Sequence, residues 1–424
     1  MIEQPLLLAS GHTIPNRLVK ASMTEGLAGP DGHPAEAHAR LFRTWAEGGA
    51  GALLTGNIMI DRRYLERAGN VIVEDETGLP HLAAWADAVH AGGSRLWGQI
   101  SHPGRQCPRP ICSQPLAPSE VQLELARNFG RPRAATEADI AEIVERFAHT
   151  AGILQAAGFD GVQLHGAHGY LLSQFLSPRT NQRQDRWGGS LQNRARLLLT
   201  VVKAVRERVG PRFTLAVKLN SADFVQGGFT LEECLKVVEW LNDAGIDLLE
   251  VSGGTYEQLV MFSSLQEDQI RDSTRKREAT FLEYADAIKR VARMPIMVTG
   301  GFRTRAGMED ALRQGSTDVI GIARPFCLVP ELPRLLTSRA LEVLPIPEGR
   351  LVLGKGYWGP NSNSHALRVM NNLCQASWYY HQIESLATGR PPQPQYSPRM
   401  ALVAHVWHDQ ARTRRRRRYL RGLG

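Results

Sequence analysis

The stretch TLAVKLNSADFVQGGFTLEECLKVVEWLNDAGIDLLEVSG, residues 214 to 253, decides the fold. Two short runs rich in β-branched and aliphatic residues, TLAVKL (214 to 219) and LLEVSG (248 to 253), flank the amphipathic segment LEECLKVVEWLNDAG. Strand-like runs on either side of a helical period are the pattern of a βα unit in a parallel sheet. Thr230 stands where a helix N-cap belongs, and Glu233, three positions on, is the expected reciprocal partner of a capping box.

The same unit recurs along the chain. RLVKASM (17 to 23), ALLTGN (52 to 57), RLWGQI (95 to 100), GVQLH (161 to 165), PIMVTGG (295 to 301) and DVIGIA (318 to 323) bring the count of such runs to eight. Helical stretches with recognisable ends lie between most of them. Ser190 caps LQNRARLLLTVVKAVRERV, in which Leu191, Leu198, Val202, Val205 and Val209 form one stripe, and Gly210-Pro211 stops it. Eight repeats predict a (β/α)8 TIM barrel. They occupy residues 15 to 340, more than the about 250 of the plain fold, so some loops are enlarged. Segments 101 to 135 and 254 to 280 follow carboxyl ends of strands, where barrels place chemistry, and are candidate lids or substrate walls. The expected organisation is a barrel over 1 to 345 and a C-terminal extension over 346 to 424. That extension reads as a loop, a helix over 366 to 388, a Pro-rich break and an Arg-rich tail.

Composition excludes several classes. Apolar residues make up 43% and charged residues 22%, which is ordinary for a globular chain and not for a disordered one. No apolar run has the length of a membrane span, and MIEQPLLLASGHTIPNR lacks the pattern of a secretory signal, so a cytoplasmic address is expected. Five cysteines, at 107, 112, 234, 327 and 374, show no CxxC spacing for zinc or an iron-sulfur cluster and read as reduced, structural thiols. The net charge of +8 belongs to the end of the chain: RTRRRRRYLRGLG carries seven arginines and no acid, and without them the charge is +1. The tail is expected to be solvated and unordered, with neither nucleic acid nor membrane as partner. A homo-oligomer stays open.

Strand ends of a barrel converge on one mouth, so residues distant in sequence can be assembled there. Strand one brings Ala21, Ser22, Met23 and Thr24; strand two, Asn57; strand three, Gln99 and His102; strand four, His165, His168 and Tyr170. Strand five brings Lys218 and Asn220, strand six Ser252, Gly253 and Gly254, strand seven Gly300 and Gly301, and strand eight Ala323 and Arg324. Amides, hydroxyls, imidazoles and cations dominate, and Glu250 and Asp223 are the nearby acids. Two-metal hydrolysis and enolate chemistry call for more carboxylates than this, and His165 and His168 lack further ligands, so no metal is expected. Lys218 alone keeps a Schiff-base mechanism open.

HGAHGYLLSQFLSPRTNQRQDRWGGSLQNRARL, from His165, closely resembles the signature of the old yellow enzyme family of flavin-dependent ene-reductases. NRLVKASMTE, WGQISHPGR, VKLNSADF, VTGGFRT and DVIGIARPF are similar to that family's other pieces, which extends the resemblance over residues 1 to 340. The resemblance implies non-covalent FMN, reduced by NADH or NADPH and reoxidised by an activated alkene. It further implies that His165 and His168 grip the acceptor's carbonyl or nitro oxygen, and that Tyr170 gives a proton to the α carbon opposite the hydride. Gln99 would pair with the pyrimidine edge of the ring, Thr24 would sit near O4 and N5, and Ala21, Ser22, Met23 and Asn57 would line the ring. Lys218, where many members carry arginine, would place its charge near N1 and O2. Gly300, Gly301, Phe302, Ala323 and Arg324 match the phosphate site. Oxidative demethylation or NADH oxidase activity is the alternative within flavin chemistry; a non-catalytic binding barrel is the alternative outside it. Asn181, Arg183, Asp185 and Arg194 read as a polar lattice bracing the loop after strand four, and Trp378, Tyr379 and Tyr380 as packing.

Overall fold

In the computed structural model, which describes residues 1–123, 128–252 and 283–422, eight parallel strands close into a barrel. They are β1 (Leu18–Lys20), β2 (Ala52–Met59), β3 (Arg95–Ser101), β4 (Gly161–Gly166), β5 (Thr214–Asn220), β6 (Leu248–Ser252), β7 (Ile296–Thr299) and β8 (Val319–Ile322). Each pairs with its neighbour in the chain, and β8 pairs with β1 to complete the ring. The expected runs are the observed strands. β1 and β7 are shorter than the runs 17 to 23 and 295 to 301, because their last residues leave the sheet and enter the loops of the mouth.

Around the strands lie α1 (Glu36–Glu47), α2 (Leu79–Ala91), α3 (Glu137–Ala156), α4 (Leu171–Leu176), α5 (Leu191–Val209), α6 (Leu231–Asn242), α7 (283–291), α8 (Arg305–Gln314) and α9 (Leu332–Thr337). Leu198, Val202, Val205 and Val209 of α5 are buried, and the Ser190 hydroxyl accepts from the Asn193 amide as an N-cap does. At α6 the capping-box expectation is half right. Thr230 Oγ1 accepts from the Glu233 amide, but the Glu233 carboxylate turns to the buried guanidinium of Arg194 instead of back to the cap. Arg194 also donates to the carbonyls of Gly189 and Leu176, so the lattice expected after strand four does brace that loop. Asn181 adds bonds to the carbonyls of Phe175 and Trp187.

Inside the ring, Val19, Leu54, Trp97, Ala216, Leu248, Met297 and Val319 form an apolar floor. Ile14, from the antiparallel pair Leu6–Leu7 with Thr13–Ile14, and Leu8, which follows the first of these strands, join it and close the barrel from below. A larger core fills the space between strands and helices. The loop 101 to 135, described except for 124–127, carries a 3-10 turn at Gly104–Gln106 and the paired strands Leu116–Ala117 and Arg133–Ala134. The second candidate lid, 254 to 280, lies outside the described residues.

The extension supplies α10 (His365–Ala387) and α11 (Pro398–Gly422). Trp378 and Tyr379 are buried, as packing residues should be. The expectation of an unordered tail is overturned, because the arginine run continues α11. Ala401, His405 and Arg416 fall on its buried side, Arg412 meets Glu384 of α10, and Arg416 and Arg417 donate to the carbonyls of Arg62 and Pro110. Backbone acceptors at the barrel's loops hold a segment that composition alone marks as solvated. Trp378 is fully buried and donates from Nε1 to the Tyr396 carbonyl at 2.9 Å. Trp378→Ala is expected to cost about 3–5 kcal/mol, read as a lower urea midpoint at unchanged slope; a loss under about 1 kcal/mol would show that this anchor carries little of the fold's stability.

Candidate active site

In a strand, residues two apart share a face. Two positions beyond Trp97, Gly161, Ala216 and Leu248, the inward side chains are Gln99, Gln163, Lys218 and Glu250, all buried. The apolar floor thus gives way to a polar layer. Sheet register sets Gln99 beside Gln163 and Lys218 beside Glu250. Gln163 Nε2 donates to Glu250 Oε2 at 2.7 Å, Gln99 Nε2 to Gln163 Oε1 at 2.6 Å, and Ser22 Oγ to Gln99 Oε1 at 2.7 Å. A carboxylate accepts and does not donate, so Glu250 fixes the direction of both amides and of the serine hydroxyl. Lys218 Nζ lies 2.8 Å from Glu250 Oε1 without the alignment of a hydrogen bond, and that oxygen has no hydrogen-bond partner among the described residues. The contact is an ion pair, and an ammonium with three N–H donors can meet a further acceptor.

One layer higher stand His165, Asn220 and Ser252. After β4 the chain passes through His168 at φ 59° and Gly169 at φ 74°. A left-handed non-glycine residue is held against a cost of about 1–3 kcal/mol, and such residues gather at functional sites. Here the turn folds three rings together. His165 and His168 have centroids 5.1 Å apart, and His165 meets the Tyr170 ring edge-on at 4.7 Å. The His168 amide donates to Asn220 Oδ1, while Gln106 Nε2 holds the carbonyls of His168 and Gly169 and Gln174 Nε2 that of Gly169.

Burial holds both imidazoles well below the usual histidine range, and the nearby Lys218 charge adds to this, so both are neutral at pH 7. The Ala167 amide donates to His165 Nδ1, which assigns the ring proton to Nε2. His168 Nε2 is 2.7 Å from Ser252 Oγ. His102 faces Tyr64 instead, with ring centroids 4.9 Å apart.

The remaining expected residues lie around this cluster. Thr24 Oγ1 and Asn57 Nδ2 both donate to Glu66 Oε2, at 3.0 and 2.6 Å, and the buried Asn57 Oδ1 has no partner among the described residues. The Ala21 amide donates to the Ile322 carbonyl, and Met23 Sδ accepts from Cys327 Sγ. Gly300 and Gly301 leave β7 at φ 101° and 83°, with no heavy atom within 4 Å of where a Gly300 side chain would start. Phe302 packs against the outer core, and Ala323 precedes the 3-10 turn Arg324–Cys327. Arg324 is engaged by Glu348 of the extension at 3.2 Å. Asp223 accepts from Asn220 and from the Phe229 amide, a bracing role. Gly253 and Gly254 lie outside the described residues. The reading of the sequence missed Gln163, Gln106, Glu66 and Glu348. Gln163 could have been found from its shared face with His165; single acids in loops gave no signal.

These groups fit a planar polar ring with an anionic tail: an orphaned Asn57 acceptor, a buried lysine cation and an open glycine cradle at the carboxyl end of β7. A family model described as the NADH:flavin oxidoreductase / NADH oxidase family matches residues 2–341. The chain belongs to that family. Its cofactors are accordingly FMN and NADH, and it is an oxidoreductase of the old yellow enzyme type. It is 40% identical over 338 residues to the NADH-dependent flavin oxidoreductase nadA of Aspergillus parasiticus, covering 76% of this chain and 74% of that one. With the NADH-dependent flavin oxidoreductase iccE of Talaromyces variabilis it shares 33% identity over 413 residues, 92% and 99% of the two chains. Morphinone reductase in complex with tetrahydroNAD superposes with a TM-score of 0.68 at 25% identity, over 82% of this chain and 93% of that one.

Neutral buried histidines make this flavin oxidoreductase acid-sensitive. Burial lowers His38 and His102 to about 4 and His405 to about 3, and depresses His165 and His168 in the same sense. Below about pH 6.5 the unfolded chain takes up protons that the native state refuses, so stability falls as pH falls, by about 1.4 kcal/mol per unit for each such histidine. The urea midpoint is expected to hold between about pH 8 and 7 and to drop steeply from about 6.5 to 4.5. A midpoint that stays level across that window would contradict the burial of these rings.

Proposed function

We propose that this oxidoreductase reduces electron-poor C=C bonds conjugated to a carbonyl or nitro group. The observation that carries the reading is the His165, His168 and Tyr170 cluster above the polar layer. Gln99, Asn57 and Lys218 would hold the flavin ring, and Gly300, Gly301 and the turn at Ala323 and Arg324 its phosphate. Bound FMN, reduced by NADH, supplies a hydride to the β carbon of the acceptor.

The chain's own residues do the rest. His165 Nε2–H and the His168 ring donate to the acceptor oxygen, drawing electron density from the double bond and stabilising the charge that develops there. Neutral imidazoles suit this task, since they donate hydrogen bonds and do not release a proton at pH 7. Tyr170 delivers the proton to the α carbon; a phenol of pKa about 10 stays protonated at neutral pH yet can protonate a carbanion-like centre. The product gains one hydride and one proton, and the tyrosinate recovers its proton from solvent. The family's description also includes NADH oxidase, and in that reading dioxygen would be the acceptor. Turnover of cyclohexenone or maleimide well above that with oxygen alone supports the ene-reductase reading, and turnover with oxygen alone supports the oxidase.

Tyr170→Phe separates the two half-reactions. Alkene reduction should fall by about 10²–10⁴, the span of general acid catalysis, while flavin reduction by NADH stays within about twofold. Stopped-flow absorbance under anaerobic conditions reads both, and equal losses in both would refute the proton-donor role.

A further inference from the structure

The polar layer holds one cation and one carboxylate among its described strand residues, Lys218 and Glu250, side by side in register. Glu250 is fully buried on a central strand, and its two oxygens face Lys218 and Gln163. The mechanism above gives this acid no task. A lysine could have been left alone near the ring, yet the layer takes on a second buried charge, which is costly unless paired.

We propose that Glu250 is a positioning residue that sets the reduction potential of the bound flavin by cancelling the charge of Lys218 and fixing the Gln99 amide through Gln163. The inference rests on the FMN reading of the site. A lone lysine would favour the negative charge that two-electron reduction leaves on the cofactor, raising its potential and making it a poorer hydride donor. A carboxylate 2.8 Å from the ammonium opposes that effect. The same carboxylate holds Gln163 Nε2, which holds Gln99, so Gln99 offers the ring one N–H and one lone pair on fixed sides.

The test is an anaerobic redox titration of the full-length holoprotein against a reference dye, with FMN affinity of the oxidised protein measured by fluorescence. Glu250→Gln should raise the preference for reduced over oxidised FMN at least about tenfold, equivalent to about 30 mV for a two-electron couple, while Glu250→Asp stays within about threefold of wild type. An uncompensated buried lysine also weakens the fold, so the neutral double variant Lys218→Met/Glu250→Gln gives a second measurement. It should lose the raised preference, falling at least about tenfold below Glu250→Gln, since it too has no net charge in the layer. An unchanged potential in Glu250→Gln, or a double variant that keeps the raised preference of Glu250→Gln, would overturn the assignment. Wild-type protein that binds no FMN would instead overturn the functional reading on which it rests.

Discussion

Everything at the mouth depends on one geometric constraint: in a closed parallel sheet, inward side chains come in layers two residues apart. Trp97, Ala216 and Leu248 make a floor that water cannot wet. The next residues of the same parity, Gln99, Lys218 and Glu250, therefore have no solvent beneath them and must satisfy one another. Register does this. It aligns donors with acceptors from Ser22 across β3 and β4 to β6, and the single acid at the end of the line dictates which way every amide points.

A second set of interactions holds the mouth from outside. Lys20 is buried between helix and sheet, its ammonium over the rings of Phe42 and Trp45 and donating to the Leu54 carbonyl at 2.7 Å. Burial pushes it down to about 8, and it is balanced by Glu25, whose carboxylate accepts from the Gly56 amide at 2.7 Å. That contact needs the glycine, since a Cβ there would come within 2.4 Å of Glu25. The segment from Ala21 to Thr24 and the middle of β2 are thereby tied together. The extension adds a further tie: Arg67, next to the Glu66 that holds Thr24 and Asn57, lies over the Tyr380 ring of α10, which stacks on His405 of α11.

The eight strands were legible because each is a short, mostly apolar run bounded by turn residues, broken at inward positions such as Gln99, Lys218 and Glu250, and burial on both faces favours such a run. The gathering of candidate site residues at the mouth was legible where a strand end or the turn after it carries them, as with Gln99, His165 and Tyr170. Glu66 and Glu348 were not, because they act from loops whose paths the local sequence does not determine. The tail misled for a related reason. Arginine runs are solvated when they lack acceptors, and the carbonyls of Arg62 and Pro110 that receive Arg416 and Arg417 lie more than 300 positions away, at separations of 354 and 307.

The charges of the site form a single system. Lys218 and Glu250 sum to zero, and burial together with Lys218 keeps His165 and His168 uncharged. Arg324, the cation at the other end of the mouth, already faces Glu348. An acceptor entering above the polar layer would therefore meet oriented hydrogen-bond donors and no net charge from these groups. Under the proposed function such a site would discriminate by the position of one oxygen relative to a double bond, since hydrogen bonds fall off steeply with distance and angle whereas a net cation would attract any anion nearby. Neutrality also protects the rings from the lysine. A protonated imidazole beside Lys218 would be repelled, so the cation proposed for the cofactor edge also helps keep the two rings in the neutral form that the proposed reaction calls for.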